Sequence, residues 1–226
     1  MIENGRPDGL DESENPDFWD SDDEETEQML RDWDEAEADA VEVLQHALPE
    51  LRGEAPPGAL AAAAAELRAG LAGDGEVYAS MRSAAGWSRQ SLPREDRELW
   101  LGAAGGLVSA REETLLEAEL EATLMALDMS DWLGAVVELV RAGAGASAEP
   151  EQLVRNIDNC PEVEGEEVEV DDRSLIETAF EVILPAWEAC GAIDRNRRLT
   201  ALGRWGLPRA LAWAWNGDFD APPAGG

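Results

Sequence analysis

The chain has 226 residues, of which 17 are arginine, none is lysine and 50 are acidic, so its formal net charge is −33. Hydrophobic residues make up 44% of it and nine residues are tryptophan, which is too apolar for a wholly disordered protein. The charge excludes a generic duplex-binding protein and disfavours an anionic membrane surface, because both would repel an acidic chain.

The cysteines and the apolar segments indicate a cytoplasmic protein. Cys160 and Cys190 are thirty residues apart, a spacing that fits neither a disulfide framework nor a zinc site, so two reduced, half-buried thiols are expected. No basic segment followed by an apolar run marks a signal peptide. No stretch of about 18 apolar residues exists, so no membrane span is predicted.

The N-terminal region combines an acidic tail with a first helix. Residues 1–24 are predicted to be a disordered tail, because their acidic side chains repel one another. Phe18 and Trp19 lie in this tail, where they form a docking peptide or pack on the first helix. Residues 25–48 predict a helix that packs by one edge, because its apolar stripe is narrow and flanked by acids. The helical period consists of Leu30, Trp33, Glu37, Val41, Leu44 and Leu48, with Met29 and Ala40 beside it.

Further helices are predicted across the middle of the chain, which completes a helical region over residues 25–130. Residues 59–72 are rich in alanine and favour a helix, whereas residues 76–92 are ambiguous. A helix follows over residues 93–109, and the glycine pair inside it indicates a kink or a close helix crossing. Thr114 begins a capping-box helix, and Ser130 is predicted to cap the next one.

The C-terminal third is predicted to be helical as well. After a helix over residues 149–159 comes an acidic loop, and Ser174 opens an amphipathic helix that Gly191 ends. Its predicted inner face includes Leu175. A last helix covers residues 203–215, and residues 216–226 form a tail. No strand-like alternation of comparable length occurs, so the predicted fold is mainly α, a helical bundle.

Two segments resemble a winged-helix domain over residues 131–215. They are Trp187-Glu-Ala-Cys-Gly-Ala-Ile193 and Leu199-Thr-Ala-Leu-Gly203. The resemblance implies that the first segment ends a recognition helix, that a short β-hairpin with a basic tip follows, and that Thr200 caps a closing helix. The whole chain, with GRWGLPRALAWAWNGDF near its end, also resembles a group of bacterial proteins with no assigned activity, so this resemblance adds no chemistry.

The sequence departs from a DNA-reading winged helix in its charge. A recognition helix presents basic and amide side chains to the bases, whereas this helix shows Glu177, Glu181 and Glu188 outward. Winged-helix domains that keep the fold and lose the charge serve protein contacts.

The candidate wing residues are three arginines, Arg195, Arg197 and Arg198. With Arg204 and Arg209 they make residues 191–215 basic in an acidic chain. Three interpretations remain open for this segment. It receives the acidic loop or tail of the same chain, contacts phosphate, or binds a partner.

Catalysis finds little support in the sequence, so no enzyme activity, cofactor or metal is predicted. His46 is the only histidine, which excludes HExxH, and the chain lacks GxSxG, GxGxxG and the lysine of a P-loop. The acidic run from Asp20 resembles the start of a calcium loop, but Glu25 and Arg31 stand where that loop needs glycine and glutamate.

The sequence therefore predicts a non-catalytic protein-interaction or regulatory adaptor, which binds a protein of unspecified identity through a tryptophan-centred hot spot. One alternative is a winged-helix regulator that contacts DNA weakly, and another is an acidic mimic of DNA. The aromatic residues near the chain ends either contact the partner or cover the core. These candidate partner-binding residues are Phe18, Trp19, Trp213, Trp215 and Phe219.

Overall fold

A computed structural model describes the backbone of residues 20–108, 127–163, 168 and 172–222, with side chains from residue 28 onward. These residues form α-helices, one 3-10 turn and connecting loops, so the predicted mainly α fold is confirmed. Phe18, Trp19 and the helix predicted from Thr114 lie outside the described residues.

In chain order, the helices of the described residues are α1 (Asp20–Ala47), α2 (Ala59–Leu71), α3 (Glu76–Ala84), α4 (Asp96–Gly105), α5 (Met129–Arg141), α6 (Pro150–Asn159), α7 (Arg173–Ala189) and α8 (Ala201–Ala214). A 3-10 turn, Pro49–Leu51, follows α1. The alanine-rich segment forms a helix within one residue of its predicted bounds. The ambiguous segment contributes the short helix α3.

Helix α1 begins at Asp20, inside the segment predicted as a disordered tail. The described helix and the predicted tail therefore share residues 20–24.

The caps of two later helices show where local sequence was informative. Thr200 caps α8 as expected, since its side chain accepts a hydrogen bond from the Gly203 amide at 2.9 Å. The cap of α5 is Asp128 rather than Ser130. Asp128 and Asp131 form a reciprocal capping box, because each carboxylate accepts from the other residue's amide.

The chain divides into two compact units, Met1–Ala36 and Glu37–Gly226. In the second unit, close helix crossings depend on glycine. A Cβ atom at Gly105 would overlap the backbone carbonyl of Ala210, so α4 and α8 can approach only with glycine there. Gly134 plays the same role between α5 and the backbone of Ile157 in α6. Of the two outcomes predicted for the α4 glycines, the structure shows the close crossing.

The core of the second unit is built around tryptophans. Trp100 is fully buried and its indole N–H donates to the Cys190 carbonyl at 2.8 Å. Trp132 lies edge-on to Phe180, with ring centroids 6.0 Å apart, and contacts Trp187 at 6.4 Å. These rings connect α4, α5 and α7 in one continuous core.

The predicted β-hairpin wing is not seen in the described residues, which contain no β-strand. At its position the chain makes two isolated antiparallel bridges, Ile193 with Leu199 and Ser147 with Arg198. The tip is a tight turn, because the Asp194 carboxylate accepts from two backbone amides within it. Arg197, at the end of this turn, has the left-handed conformation with a φ of 53°.

Candidate interaction surface

The largest exposed hydrophobic side chains of the described residues cluster on α1. Met29 is 61% exposed, Leu30 is 54% exposed and Trp33 is 50% exposed. Met29 and Trp33 are four residues apart, so they share one face of the helix with Leu30 beside them. We call these three residues the α1 stripe.

The α1 stripe is surrounded by carboxylates. Asp32 and Asp34 are exposed on either side of Trp33, and the Gln28 side chain donates to the Asp32 carboxylate at 2.6 Å. Residues 20–36 of α1 contain nine acidic residues and one arginine. An apolar patch centred on tryptophan and framed by charge has the composition of an interaction hot spot.

Leu30 and Trp33 of the α1 stripe were predicted from the sequence as part of an apolar face, but their exposure was not predicted. The helical spacing of Leu30 and Trp33 predicted that they pack inward with Val41 and Leu44. Only the later positions are buried, with Val41 at 7% and Leu44 at 0% exposed. The signal that could have separated the two parts is the density of acids around residues 20–35, which disfavours burial.

A fourth exposed hydrophobic residue lies on α7. Leu175 was predicted on the inner face of that helix but is 49% exposed. Ile176 and Phe180 of the same helix are buried. The rest of the predicted inner face is buried, so Leu175 is a single exposed leucine rather than part of a stripe. Those buried residues are Ala179, Phe180, Ile183, Leu184, Trp187 and Cys190.

Two of the predicted partner-binding aromatics lie in the core instead. Trp215 is 5% exposed and Phe219 is 1% exposed. Trp213 is half-buried and lies beside Gly102 of α4. The structure therefore assigns Trp215 and Phe219 to packing, and residues 216–222 are part of the folded unit rather than a tail.

A buried arginine holds this C-terminal segment in position. Arg209 is 1% exposed, and its guanidinium lies 4.6 Å from the Trp205 ring centroid and 4.8 Å from that of Phe219. It donates to the Asp220 carboxylate at 2.6 and 3.0 Å and to the Leu51 carbonyl at 2.7 Å. Burial raises the pKa of Asp220, but the hydrogen bonds from Arg209 outweigh it, so that pKa lies below its usual range.

The three candidate wing arginines differ in their contacts. Arg197 donates to both oxygens of Glu181, at 2.8 and 2.7 Å, and to Glu149 at 2.9 Å. Its guanidinium holds the pKa of Glu181 below the usual range. Arg195 and Arg198 are exposed, and neither forms an ion pair with a described residue. The intramolecular interpretation therefore fits Arg197, although its partners are in α7 and before α6, not in the acidic loop or tail.

One group of side chains in the described part of the chain has the donor types of a metal site. The ligand atoms of Glu138, Cys160 and Glu162 lie within 4.8 Å of one another. The Arg141 guanidinium already binds this group, since one nitrogen donates to Glu138 at 2.8 Å and to Glu162 at 2.7 Å. An arginine thus occupies the position that a cation would need.

The reactive side chains are poorly suited to nucleophilic chemistry. Burial is the main cause that raises the pKa of the Cys160 thiol to about 11. Burial also raises the pKa of the Cys190 thiol, and by more than that of Cys160. Both thiols are therefore protonated at neutral pH. His46 is exposed, and its Nδ1 lies 2.9 Å from the Glu42 carbonyl.

Comparisons of this chain with protein-family models, with curated proteins and with solved structures find no match. In the part of the chain that the structure describes, no helix combines the length and the apolar character that a bilayer crossing requires. The functional inference therefore depends on the chemistry of the described surfaces.

Proposed function

We propose that this chain is a non-catalytic protein-interaction protein and that the α1 stripe is its contact surface. The observation that carries the proposal is the half or greater exposure of Met29, Leu30 and Trp33 on one acidic helix. Clustered apolar exposure of this kind marks interaction sites more often than scattered single residues do.

The character of the stripe supports the proposal further. Tryptophan is enriched in hot spots, and methionine adapts its flexible side chain to varied surfaces. An amphipathic helix that presents anchors one turn apart fits the helix-in-groove mode of recognition. The protonated thiols and the single exposed histidine give catalysis no comparable support. We also propose a cytoplasmic setting, which the two free thiols favour.

The test is affinity capture with a variant of the stripe and a matched control. Met29→Gln, Leu30→Gln and Trp33→Gln are combined in one protein, since glutamine keeps helix propensity and removes the apolar surface. Leu175→Gln removes a leucine of similar exposure from α7. We expect the triple variant to lose proteins that the wild type and the Leu175 variant both retain, with unchanged circular dichroism in all three.

A further arm addresses the aromatic residues in the predicted tail. Phe18→Gln with Trp19→Gln tests the docking-peptide interpretation, which stays a prediction. If this variant loses the partner and the stripe variant keeps it, the contact surface is the N-terminal segment and our assignment to the α1 stripe is wrong.

Weak DNA contact through Arg195 and Arg198 is a second candidate function, favoured by the exposure of both side chains. Two arginines are few, because specific complexes commonly neutralise about six or more phosphates. The pairing of Arg197 with two glutamates reduces the available charge further.

A further inference from the structure

We propose that the α1 stripe binds a basic protein surface, namely a hydrophobic groove with lysine or arginine side chains along its rim. This inference rests on the proposed function and specifies the partner's chemistry. Apolar contact alone would suit a neutral groove equally well. The charge around the stripe favours a basic groove over a neutral one, because binding brings the flanking carboxylates to the rim of the partner's groove.

The geometry of the helix sets where that basic rim must lie. Met29 and Trp33 are one helical turn apart, about 6 Å along the axis. Asp32 and Asp34 are exposed and adjoin Trp33 in sequence, about 100° to either side of it around the helix axis. Both carboxylates are close enough to act within the roughly 8 Å Debye length of physiological salt. A groove that accepts the tryptophan therefore has these carboxylates at its edge, where cations are favourable and carboxylates are repelled.

A second copy of the same chain is a poor occupant of the stripe. Each copy has a net charge of −33, and an antiparallel or parallel pair of α1 helices would bring acidic flanks together. Like charges across an interface disfavour association and slow the encounter.

Segments of the same chain are poor occupants for the same reason. Residues 1–19 contain six acids and one arginine, and residues 109–126 contain five acids and one arginine. Either segment would add carboxylates next to those of α1. Charge complementarity therefore points to a different protein.

The inference is tested with defined helical peptides and the full-length chain. The probe is a dye-labelled amphipathic peptide of about 14 residues with a leucine face and a lysine face, long enough to form a helix on binding. One comparison peptide keeps the leucines and replaces lysine by glutamate. The other keeps the lysines and replaces leucine by serine. Fluorescence anisotropy at about 50 and about 300 mM salt gives the affinity of each.

We expect the leucine–lysine peptide to bind at least about tenfold more tightly than either comparison peptide. The combined Met29→Gln, Leu30→Gln and Trp33→Gln variant should bind it about tenfold more weakly than the wild type, whereas Leu175→Gln should not change the affinity. Raising the salt should weaken the wild-type complex several-fold.

Three outcomes would overturn the inference. Equal binding of the glutamate peptide would show that charge does not select the partner. Equal affinity of the wild type and the stripe variant for the lysine peptides would show a purely electrostatic attraction, as expected of a nucleic-acid mimic. Tight self-association of the wild type that the stripe variant abolishes would identify a second copy as the occupant.

The capture experiment separates these failures from failure of the proposed function. If the stripe variant loses a captured protein while the leucine–lysine peptide fails to bind, the interaction function stands and the basic groove is wrong. If capture is the same with and without the stripe, both the function and the inference fail.

Discussion

The two halves of α1 carry apolar side chains at the same helical spacing, yet they differ in burial. In residues 37–47 the apolar side chains are covered, since Leu44 is 0% and Val41 is 7% exposed. In residues 28–36 the equivalent positions are half exposed or more. A single continuous helix therefore contains a packing surface and a candidate binding surface, in one pattern of residues.

The covered half owes its burial to residues distant in sequence. The Gln45 side chain donates to the Asp218 carbonyl at 2.9 Å, and the Asn216 amide donates to Glu37 at 3.1 Å. Gly217 packs directly against Val41, where a Cβ would come within 2.8 Å of the valine side chain. The segment after α8 thus supplies both the polar partners and the close contact that allow this half of α1 to be buried, including its glutamate.

We expect Arg209→Met to have the largest effect on the difference in burial between the two halves of α1. Without the guanidinium, the Leu51 carbonyl loses the bond from Arg209, and the Asp220 carboxylate keeps only the donors Arg97 and the Gly53 amide. The segment that covers α1 is then held less firmly. We expect a loss of about 3 to 5 kcal/mol in the free energy of unfolding, measured by urea titration. Arg195→Met is the control, because that exposed arginine pairs with no described residue. Faster hydrogen exchange at residues 41–48 would show that the covered half has become exposed.

A pair of leucine substitutions compares the two halves directly. Leu44→Ala removes a fully buried side chain and should lower the free energy of unfolding by about 3 kcal/mol. Leu30→Ala removes the same atoms from an exposed position and should change it by less than about 0.5 kcal/mol. Similar losses for both, in the same urea titration, would show that the stripe is buried in solution and would remove the basis of the proposed function.

Buried and exposed carboxylates should also differ in how their protonation affects folding. This difference should appear in the pH dependence of the free energy of unfolding. Burial, with a further contribution from the Asp128 charge, raises the pKa of Asp131 from 3.8 to about 6. The folded state therefore binds this proton more tightly than the unfolded state. The resulting stabilisation is fully present below pH 3.8 and is lost as the pH rises through about 6.

Asp131→Asn should remove that dependence while keeping an oxygen that can accept from the Asp128 amide. Relative to the wild type, the variant should gain stability between about pH 4 and pH 7, on the order of 2 kcal/mol. Asp34→Asn, at an exposed position of α1, should differ from the wild type in free energy of unfolding by less than about 0.5 kcal/mol at both ends of this pH range. Thermal unfolding across this range measures both, and parallel curves for the wild type and Asp131→Asn would contradict the prediction.

The smallest expected effect is on DNA binding, which the arginine tip favours and the acidic half of α1 opposes. We expect no sequence-specific duplex binding tighter than micromolar at about 150 mM salt, and no measurable change when Arg195, Arg197 and Arg198 are replaced by alanine. A fluorescence titration with the gene's own upstream DNA tests this. Nanomolar binding that falls steeply with salt and disappears in the triple variant would favour the regulator function instead.

Local sequence determined the features that depend only on neighbouring residues. The mainly helical fold, the alanine-rich helix at Ala59–Leu71 and the Thr200 cap follow from propensity, spacing and a side chain that reaches an amide three residues away. The candidate site was predicted only in part. A tryptophan-centred, acid-framed surface was expected, but Trp215 and Phe219 were assigned to it and Met29 was only noted beside the stripe.

What the tertiary structure alone decided is which apolar positions are covered. Helical periodicity specifies that Trp33 and Leu44 share one side of α1, but it cannot specify what packs against that side. Gly217 packs against Val41, and Arg209 donates to the Leu51 carbonyl at 2.7 Å, so both contacts join segments more than 150 residues apart in the chain. Burial is a property of such distant contacts, so a repeated local pattern can end in a core at one point and remain in solvent at another.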